Sequence, residues 1–446
     1  MNKIEYKQMK SLLIKGASVV GPDQVYRADV LVEDSLIAQI NPAIRPGKGT
    51  AVMHARGKYV LPGFIDIHNH GSVGFDTSFG TYRQQDDAFD STAQAYKNGL
   101  KAALDFYIRT GINKVLLTTM AAPLDQLCRA LSLVRDFLEE QPAYRELVYG
   151  INLEGTFLKD PVYAGAQNPE YFYAAEQQVI DRLQEASGNL LKIVNLPPEH
   201  DEQGCRLTKD LVKNGIIVAG GHSAAFGDNF DRAVKAGLNV AVHFLNGPSR
   251  SSSKGFRGGG AVEAMLRSDK VYLEVICDGY HVAPAYVRDI IARKGHERVV
   301  IITDSMFANG LSGLERFELL GLKGAVSSNK KYLQVLGKEN TLFGSVLTAD
   351  TGYGNMVLWL TTPIPGIWHR THQALSLHEA LVYASVMYSA NPARLLGIFN
   401  KHGGRPGCGS VEVGKSADLL VADVAPGEFS LAHNILGGKV YTWFNK

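Results

Sequence analysis

Apolar residues along this chain follow one pattern at the two ends and another in the middle. Near the N-terminus, Leu12–Val20, Asp29–Ile40 (with its polar interruption Glu33-Asp34-Ser35) and Ala51–Val60 are short runs rich in Val, Ile and Leu. Gly, Pro and Asp separate them, the pattern of β-strands and turns. The last forty residues read alike, with strands predicted at Ser410–Val413, Asp418–Asp423 and Lys439–Phe444 and a tight turn at Gly437-Gly438. Neither end holds enough strands for a core of its own. The two are therefore expected to join in one small β-sandwich domain, made of residues 1–61 and 401–446.

The middle, residues 62–400, alternates between strand and helix patterns. Eight apolar segments recur: Phe64–His68, Lys114–Met120, Leu147–Gly155, Leu190–Leu196, Ile216–His222, Asn239–Asn246, Val271–Gly279 and Arg298–Ser305. Continuous apolar runs suit parallel strands covered on both faces. Between them, Asp90–Arg109, Leu124–Glu140, Glu176–Ala186, Asp228–Ala236 and Pro284–Lys294 carry helix formers at 3.6-residue spacing, and Gly111, Gly215, Gly237 and Gly295 stand where helices would end. Eight strand–helix units predict an α/β fold of the (β/α)8 barrel type. A doubly wound sheet is disfavoured because no GxGxxG follows the first strand.

Beyond the eighth strand, Gly310–Leu347 is mixed, and Thr361–Gln373, with two prolines and Trp368, reads as a surface loop or insertion. Ser376-Leu377-His378-Glu379 has capping-box spacing, so a final helix should start at Ser376. It is expected to stop near Ser389, ahead of Asn391-Pro392.

Composition narrows the function. With 446 residues, 45% hydrophobic and 20% charged, the chain is not a disordered one. Lys and Arg total 46 against 44 Asp and Glu, a net +2, so there is no basic field for nucleic acid. Cys128, Cys205, Cys277 and Cys408 form no CxxC pair, which argues against a disulfide framework or zinc knuckle and for a reducing compartment. No run approaches the ~18 apolar residues of a membrane span. The first apolar run, Ser11–Val20, is broken by Lys15 and Gly16, unlike a signal peptide. A soluble, cytoplasmic protein is expected.

The chemistry follows from position. In a barrel the C-terminal ends of the strands share one rim, where catalysis takes place. His68 and His70 stand at i and i+2 in the first strand, so an extended chain points both rings one way. Glu154 closes the third strand, His222 the fifth, Asp304 the eighth, and His243 lies in the sixth. Taken singly, each has a mundane alternative: solvated loop histidines, satisfied core histidines or helix caps. Together, imidazoles and carboxylates on one rim suit a divalent metal: zinc, or iron, manganese or cobalt.

Those residues sit in recognisable surroundings. Pro62-Gly63-Phe64-Ile65-Asp66-Ile67-His68-Asn69-His70-Gly71, Leu153-Glu154-Gly155, Gly221-His222-Ser223, His243-Phe244-Leu245-Asn246, Asp278-Gly279-Tyr280-His281-Val282, Thr303-Asp304 and Gly414-Lys415-Ser416-Ala417-Asp418-Leu419 follow one another in the order of the amidohydrolase superfamily. Within it the chain resembles the N-acetylglucosamine-6-phosphate deacetylase family over nearly its whole length. The resemblance implies that Glu154, His222 and His243 hold the principal metal, and that His68 and His70 with a bridging Glu154 hold a second, giving one or two ions per subunit. It implies Asp304 as general base and acid and His281 as the group that polarises the amide carbonyl. It further implies an amino sugar phosphate substrate, with phosphate held by Asn246, Gly247 and Arg257, and a homodimer that completes this site. Four departures from the family pattern bear on the sugar and, to a lesser degree, the phosphate: Thr156-Phe157, Asn246-Gly247-Pro248, Ser305-Met306-Phe307-Ala308-Asn309-Gly310, and Gln167 where a sugar-contacting histidine is usual. Glutamine still hydrogen-bonds a hydroxyl but carries no charge. An amidohydrolase acting on another N-acyl substrate, such as an N-acyl amino acid, and a non-catalytic ligand-binding barrel are the alternatives.

Overall fold

A computed structural model describes residues 5–246, 249–251, 258–319 and 321–442. Its centre is a parallel barrel of eight strands: β1 (Phe64–Asn69), β2 (Ile112–Thr118), β3 (Val148–Leu153), β4 (Leu191–Asn195), β5 (Ile217–Gly220), β6 (Val240–Ala241), β7 (Tyr272–Ile276) and β8 (Val299–Ile302). Each strand pairs with the next in chain order, which excludes a doubly wound sheet. The ring closes just beyond the strand ends, where the Asp304 N–H donates to the His68 carbonyl at 2.9 Å, and the His70 and Gly71 N–H groups both donate to the Ser305 carbonyl. Ile65, Ile67, Leu116, Ile193, Ala219, Ile276, Val300 and Ile302 pack together inside the barrel. Residues of the opposite parity, such as Val115, Leu117, Ile151, Leu273 and Ile301, meet the surrounding helices.

Those helices are α1 (Ala93–Arg109), α2 (Leu124–Glu140), α3 (Gln177–Ser187), α4 (Asp201–Lys213), α5 (Gly227–Ala236), α6 (Ala261–Arg267), α7 (Pro284–Lys294) and α8 (Ala349–Thr361). Among the described residues none is long and apolar enough to cross a membrane. Three of them, α4, α6 and α8, escape the sequence pattern. The α4 segment is mostly polar, α6 has only seven residues, and α8 is apolar nearly all round, without a polar stripe to set its phase.

Both chain ends contribute to a single nine-stranded sheet, in which Tyr59–Pro62 pairs with Ser11–Val20 on one side and Leu419–Ala425 on the other. Its core joins Leu12, Ile14, Val30 and Val60 to Leu419, Val421, Ile435 and Val440. The expected Ala51–Val60 strand is two strands, divided at Gly57, whose φ of +85° turns the chain. Ser410–Val413 is not a strand. Glu428–Leu436, too polar to stand out, is one, because strands on both sides supply its ladder.

Two further segments depart from the sequence reading. The mixed stretch after β8 folds into a four-stranded antiparallel sheet, β9 (Arg316–Leu319), β10 (Leu322–Val326), β11 (Tyr332–Val335) and β12 (Leu342–Ser345). The last helix, Leu377–Ser385, does not stop near Ser389; it widens into a π-turn at Val386–Ala390 and runs on through Asn391–Leu395. A wider turn lets the chain pass a proline that lacks an N–H donor. Asn391 secures the passage by donating its side-chain amide to the carbonyls of His296 and Val299.

The Thr361–Gln373 segment is a strap on the outer face of α7, with Ile367 and Trp368 exposed at its tip. Asp289 of α7 holds it, accepting hydrogen bonds from the N–H groups of Ile367 (2.7 Å) and Trp368 (2.5 Å) and from His372 Nε2 (2.6 Å). Burial would raise the Asp289 carboxyl, but these donors outweigh it and hold the group below its ordinary value of 3.8. A carboxyl depressed in the folded state stabilises the fold above its unfolded pKa and loses that contribution as pH falls through the folded value. Asp289→Ala is therefore expected to cost about 2–3 kcal/mol in urea unfolding at neutral pH. The gap between wild type and variant should begin to narrow below about pH 4 and shrink further as the pH falls through the folded value; a gap of equal size at pH 3 would refute this account of the strap.

Candidate active site

The C-terminal rim of the barrel gathers the residues that the sequence singles out. His68 and His70 come from the end of β1, Glu154 follows β3, His222 follows β5, His243 follows β6, His281 lies beyond β7 and Asp304 beyond β8. All seven side chains are buried, although the cavity opens above them. In β1 a bulge aims the pair: Asp66 and Asn69 face Val115 and Leu117, so this strand carries one residue more than its neighbour. Three of the residues, His222, His243 and Asp304, have left-handed backbone with φ of +49°, +24° and +50°. Such conformations are unfavourable for side-chain-bearing residues and cluster at functional sites.

Glu154 is the hub. Its Oε1 lies 3.0 Å from His243 Nε2, 3.4 Å from His222 Nε2 and 3.7 Å from His68 Nε2. Its Oε2 lies 3.3 Å from His70 Nε2 and accepts a hydrogen bond from Gln167 Nε2 at 2.9 Å. Asp304 Oδ1 completes the ring, 3.2 Å from His70 Nε2 and 3.6 Å from His68 Nε2. Burial would raise the Glu154 carboxyl, yet the charge of His68 and the close approach of the His222 and His243 rings hold it well below its ordinary value. Asp304 is lowered in the same way, with the His70 hydrogen bond and the charges of His68, His70 and His243 overriding burial. Burial works against charge on His70 too, but its hydrogen bonds to Asp304 and Glu154 bring it up to about 9.

The donor atoms themselves fit a divalent cation. His222 Nδ1 is held by the Tyr163 carbonyl at 2.9 Å and His243 Nδ1 by the Asn246 carbonyl at 2.5 Å. With Nδ1 donating, each neutral ring turns the Nε2 lone pair inward. Those two Nε2 atoms are 3.1 Å apart, beside the Glu154 oxygen. Three lone pairs facing one another repel unless a cation lies between them, and one proton can serve only two. His68 Nε2 has no hydrogen-bond partner. Two overlapping triads, His68–His70–Asp304 and His68–Glu154–His243, each bring their ligand atoms within 4.8 Å of one another.

The remaining expected residues are placed as follows. His281 Nδ1 pairs with Asp278 Oδ2 at 2.6 Å, leaving Nε2 without a partner. Gln167 lies on the cavity wall, where it donates to Glu154 and accepts from the Ala121 N–H at 2.7 Å. Asn246 lines the cavity as well. Gly247 and Arg257 lie outside the described residues. The cavity measures about 1360 Å³, and the β11–β12 hairpin forms much of its wall. Among the described residues lining it, Lys338 is the one Lys or Arg; its Nζ donates to the Gly165 carbonyl at 3.1 Å.

Sequence reasoning passed over several supporting groups. Asp66, buried and pushed up to about 6 by desolvation against hydrogen bonds from Thr303 and Asn69, ties β1 to β8 beneath the rim. Glu274, in the middle of β7, receives His68 Nδ1 at 3.0 Å. Its signal was present: an acid in the apolar run Val271–Ile276 has no reason to be there unless something inside the barrel needs it.

A barrel whose rim carries these imidazoles and carboxylates defines a class of hydrolases. The chain belongs to the amidohydrolase family, whose model matches residues 59–442. It is 30% identical over 418 residues to an N-acetylglucosamine-6-phosphate deacetylase of Bacillus subtilis (strain 168), covering 92% of this chain and 93% of that one. It is also 30% identical over 393 residues to an N-acetylgalactosamine-6-phosphate deacetylase of Escherichia coli O157:H7, covering 88% and 89%. The fold matches that of N-acetyl-D-glucosamine-6-phosphate deacetylase from Mycobacterium smegmatis with a TM-score of 0.78 at 24% identity, covering 96% of this chain and 99% of that one.

A protein that binds an ion only when folded gains stability from it, by about 2.7 kcal/mol at 100 times the dissociation constant. Added zinc should therefore raise the melting temperature of metal-stripped protein, and Glu154→Ala should abolish the rise. A wild-type melting curve indifferent to zinc, manganese, cobalt and iron would remove the case for a metal centre.

Proposed function

We propose that this amidohydrolase removes the N-acetyl group of an N-acetylhexosamine 6-phosphate, foremost N-acetylglucosamine 6-phosphate, releasing acetate and the amino sugar phosphate. The observation that carries the chemistry is the convergence of Glu154, four imidazoles and Asp304 at the floor of one large cavity. The sugar phosphate comes from the curated relatives, which name two epimeric hexosamine substrates at equal identity.

Glu154, His222 and His243 would hold the principal ion, with His68 and His70 available for a second beside the same glutamate; zinc suits this donor set best. When bound, the ion supplies Lewis acidity, lowering the pKa of water from about 15.7 to about 7. Asp304 is a base already ionised in its buried position, held so by His70 and His68. It accepts the proton of the attacking water and returns it to the leaving amine nitrogen, so that no free base has to be expelled. His281 directs its unpartnered Nε2 at the amide carbonyl oxygen, while the Asp278 carboxylate on Nδ1 stabilises positive charge on a ring that donates there. Gln167 orients Glu154 and borders the sugar. Asn246, Gly247 and Arg257 take the phosphate, consecutive backbone N–H groups and a guanidinium being apt donors for it. As the resemblance implies, the enzyme works as a homodimer; its unpaired cysteines suit the reducing cytoplasm.

Asp304→Asn should lower kcat by roughly 10²–10⁴-fold while the bound metal, counted by mass spectrometry, stays at the wild-type level. Deacetylation of a panel of N-acetylhexosamines with and without 6-phosphate tests the substrate. The expected result is a much higher kcat/KM for the phosphorylated sugars, and a KM raised by Arg257→Ala. Equal turnover of the unphosphorylated sugars, or faster turnover of N-acyl amino acids, would rule the proposal out.

A further inference from the structure

Glu274 is a carboxylate in a place where only a specific need would keep one. It sits at the centre of β7, fully buried, between the apolar neighbours Leu273 and Val275. Burying an ionised carboxylate costs several kcal/mol unless partners compensate. Its Oε2 receives two hydrogen bonds, from His68 Nδ1 at 3.0 Å and from the His243 backbone N–H at 3.1 Å. Its other oxygen, Oε1, has no partner. One atom thus spans the barrel interior between the ends of β1 and β6, and both residues it holds carry rings that face Glu154. The two rings lie edge-tilted with centroids 5.4 Å apart.

The consequence falls on His68. An imidazole presents Nε2 as a lone pair only if its remaining proton is on Nδ1, and a carboxylate facing Nδ1 fixes the proton there. His222 and His243 obtain the same restraint from backbone carbonyls; His68 obtains it from Glu274. His68 is also the ligand shared by both triads at the rim. We propose that Glu274 is the positioning residue that makes His68 an Nε2 ligand and thereby sets the affinity for the ion that His68 holds. Glu274 is not among the residues that line the cavity. The inference rests on the metal centre proposed above, so its test must separate the two.

Metal dissociation constants are measured by competition with a chromophoric chelator for wild type, Glu274→Gln, His68→Ala and the double variant. Glutamine keeps the shape and offers a carbonyl to Nδ1, but without charge. Loss of a ligand's outer partner in other metal sites weakens binding by 10–100-fold, so Glu274→Gln should weaken binding of the zinc ion that His68 holds by about tenfold and His68→Ala by at least as much. Because the effect passes through His68, adding Glu274→Gln to His68→Ala should change nothing further. A general loosening of the barrel would instead give the same loss with and without His68. Glu274→Met, an apolar side chain of similar length, gives a second reading and should approach the His68→Ala value. Wild-type affinity in Glu274→Gln, or a loss undiminished in the His68→Ala background, overturns this proposal alone. A wild-type protein that takes up no metal overturns the metal centre and this inference together.

Discussion

Mutual repulsion among like donors is the constraint around which this barrel is organised. Four imidazoles and two carboxylates are brought to the floor of one cavity, and Glu154 stands at contact distance from every ring. Such an arrangement has no favourable form without positive charge at its centre. The surrounding scaffold reads as a set of devices that prevent the residues from turning away. Carbonyls of Tyr163 and Asn246 pin two rings, the Gln167 amide pins Glu154, and Asp66 clamps the first strand to the last.

The rest of the architecture serves the same end at longer range. Barrel closure is accomplished by the backbone of the site itself, since the groups that join the first and last strands are those of His68, His70, Asp304 and Ser305. Ring and rim are therefore one structure, and a change in either is felt in both. The β9–β12 sheet inserted after the eighth strand supplies much of the cavity wall. The split terminal sheet packs below, and Asn113, near the start of β2, reaches across to the Ile435 carbonyl to join it to the barrel.

Most of this was legible in the sequence because it rests on repetition. Eight β-branched runs alternating with helical stretches need a parallel sheet, and polar residues ending those runs need a common rim. The segments that were misread lack repetition. Glu428–Leu436 becomes a strand because strands on both sides demand it, not because its residues favour one. The last helix runs through Asn391-Pro392 because a π-turn and the Asn391 side chain satisfy what a local rule leaves open. Glu274 was overlooked for a different reason: one acid in an apolar run carries meaning only when its partner, about two hundred residues away, is known to face it. Gln167 shows the limit of reading by analogy, since its hydrogen bond to Glu154 can be seen only in three dimensions.

The left-handed backbone at His222, His243 and Asp304 has an evolutionary consequence. Each of these residues is held in a conformation that glycine would adopt without strain. Replacement there by glycine would relax the main chain while discarding the chemistry, so a lineage selected for robustness alone would drift away from activity at those three points first. Descendants that had lost their catalytic task would be recognisable by glycines at the ends of the fifth, sixth and eighth strands, in a barrel otherwise intact.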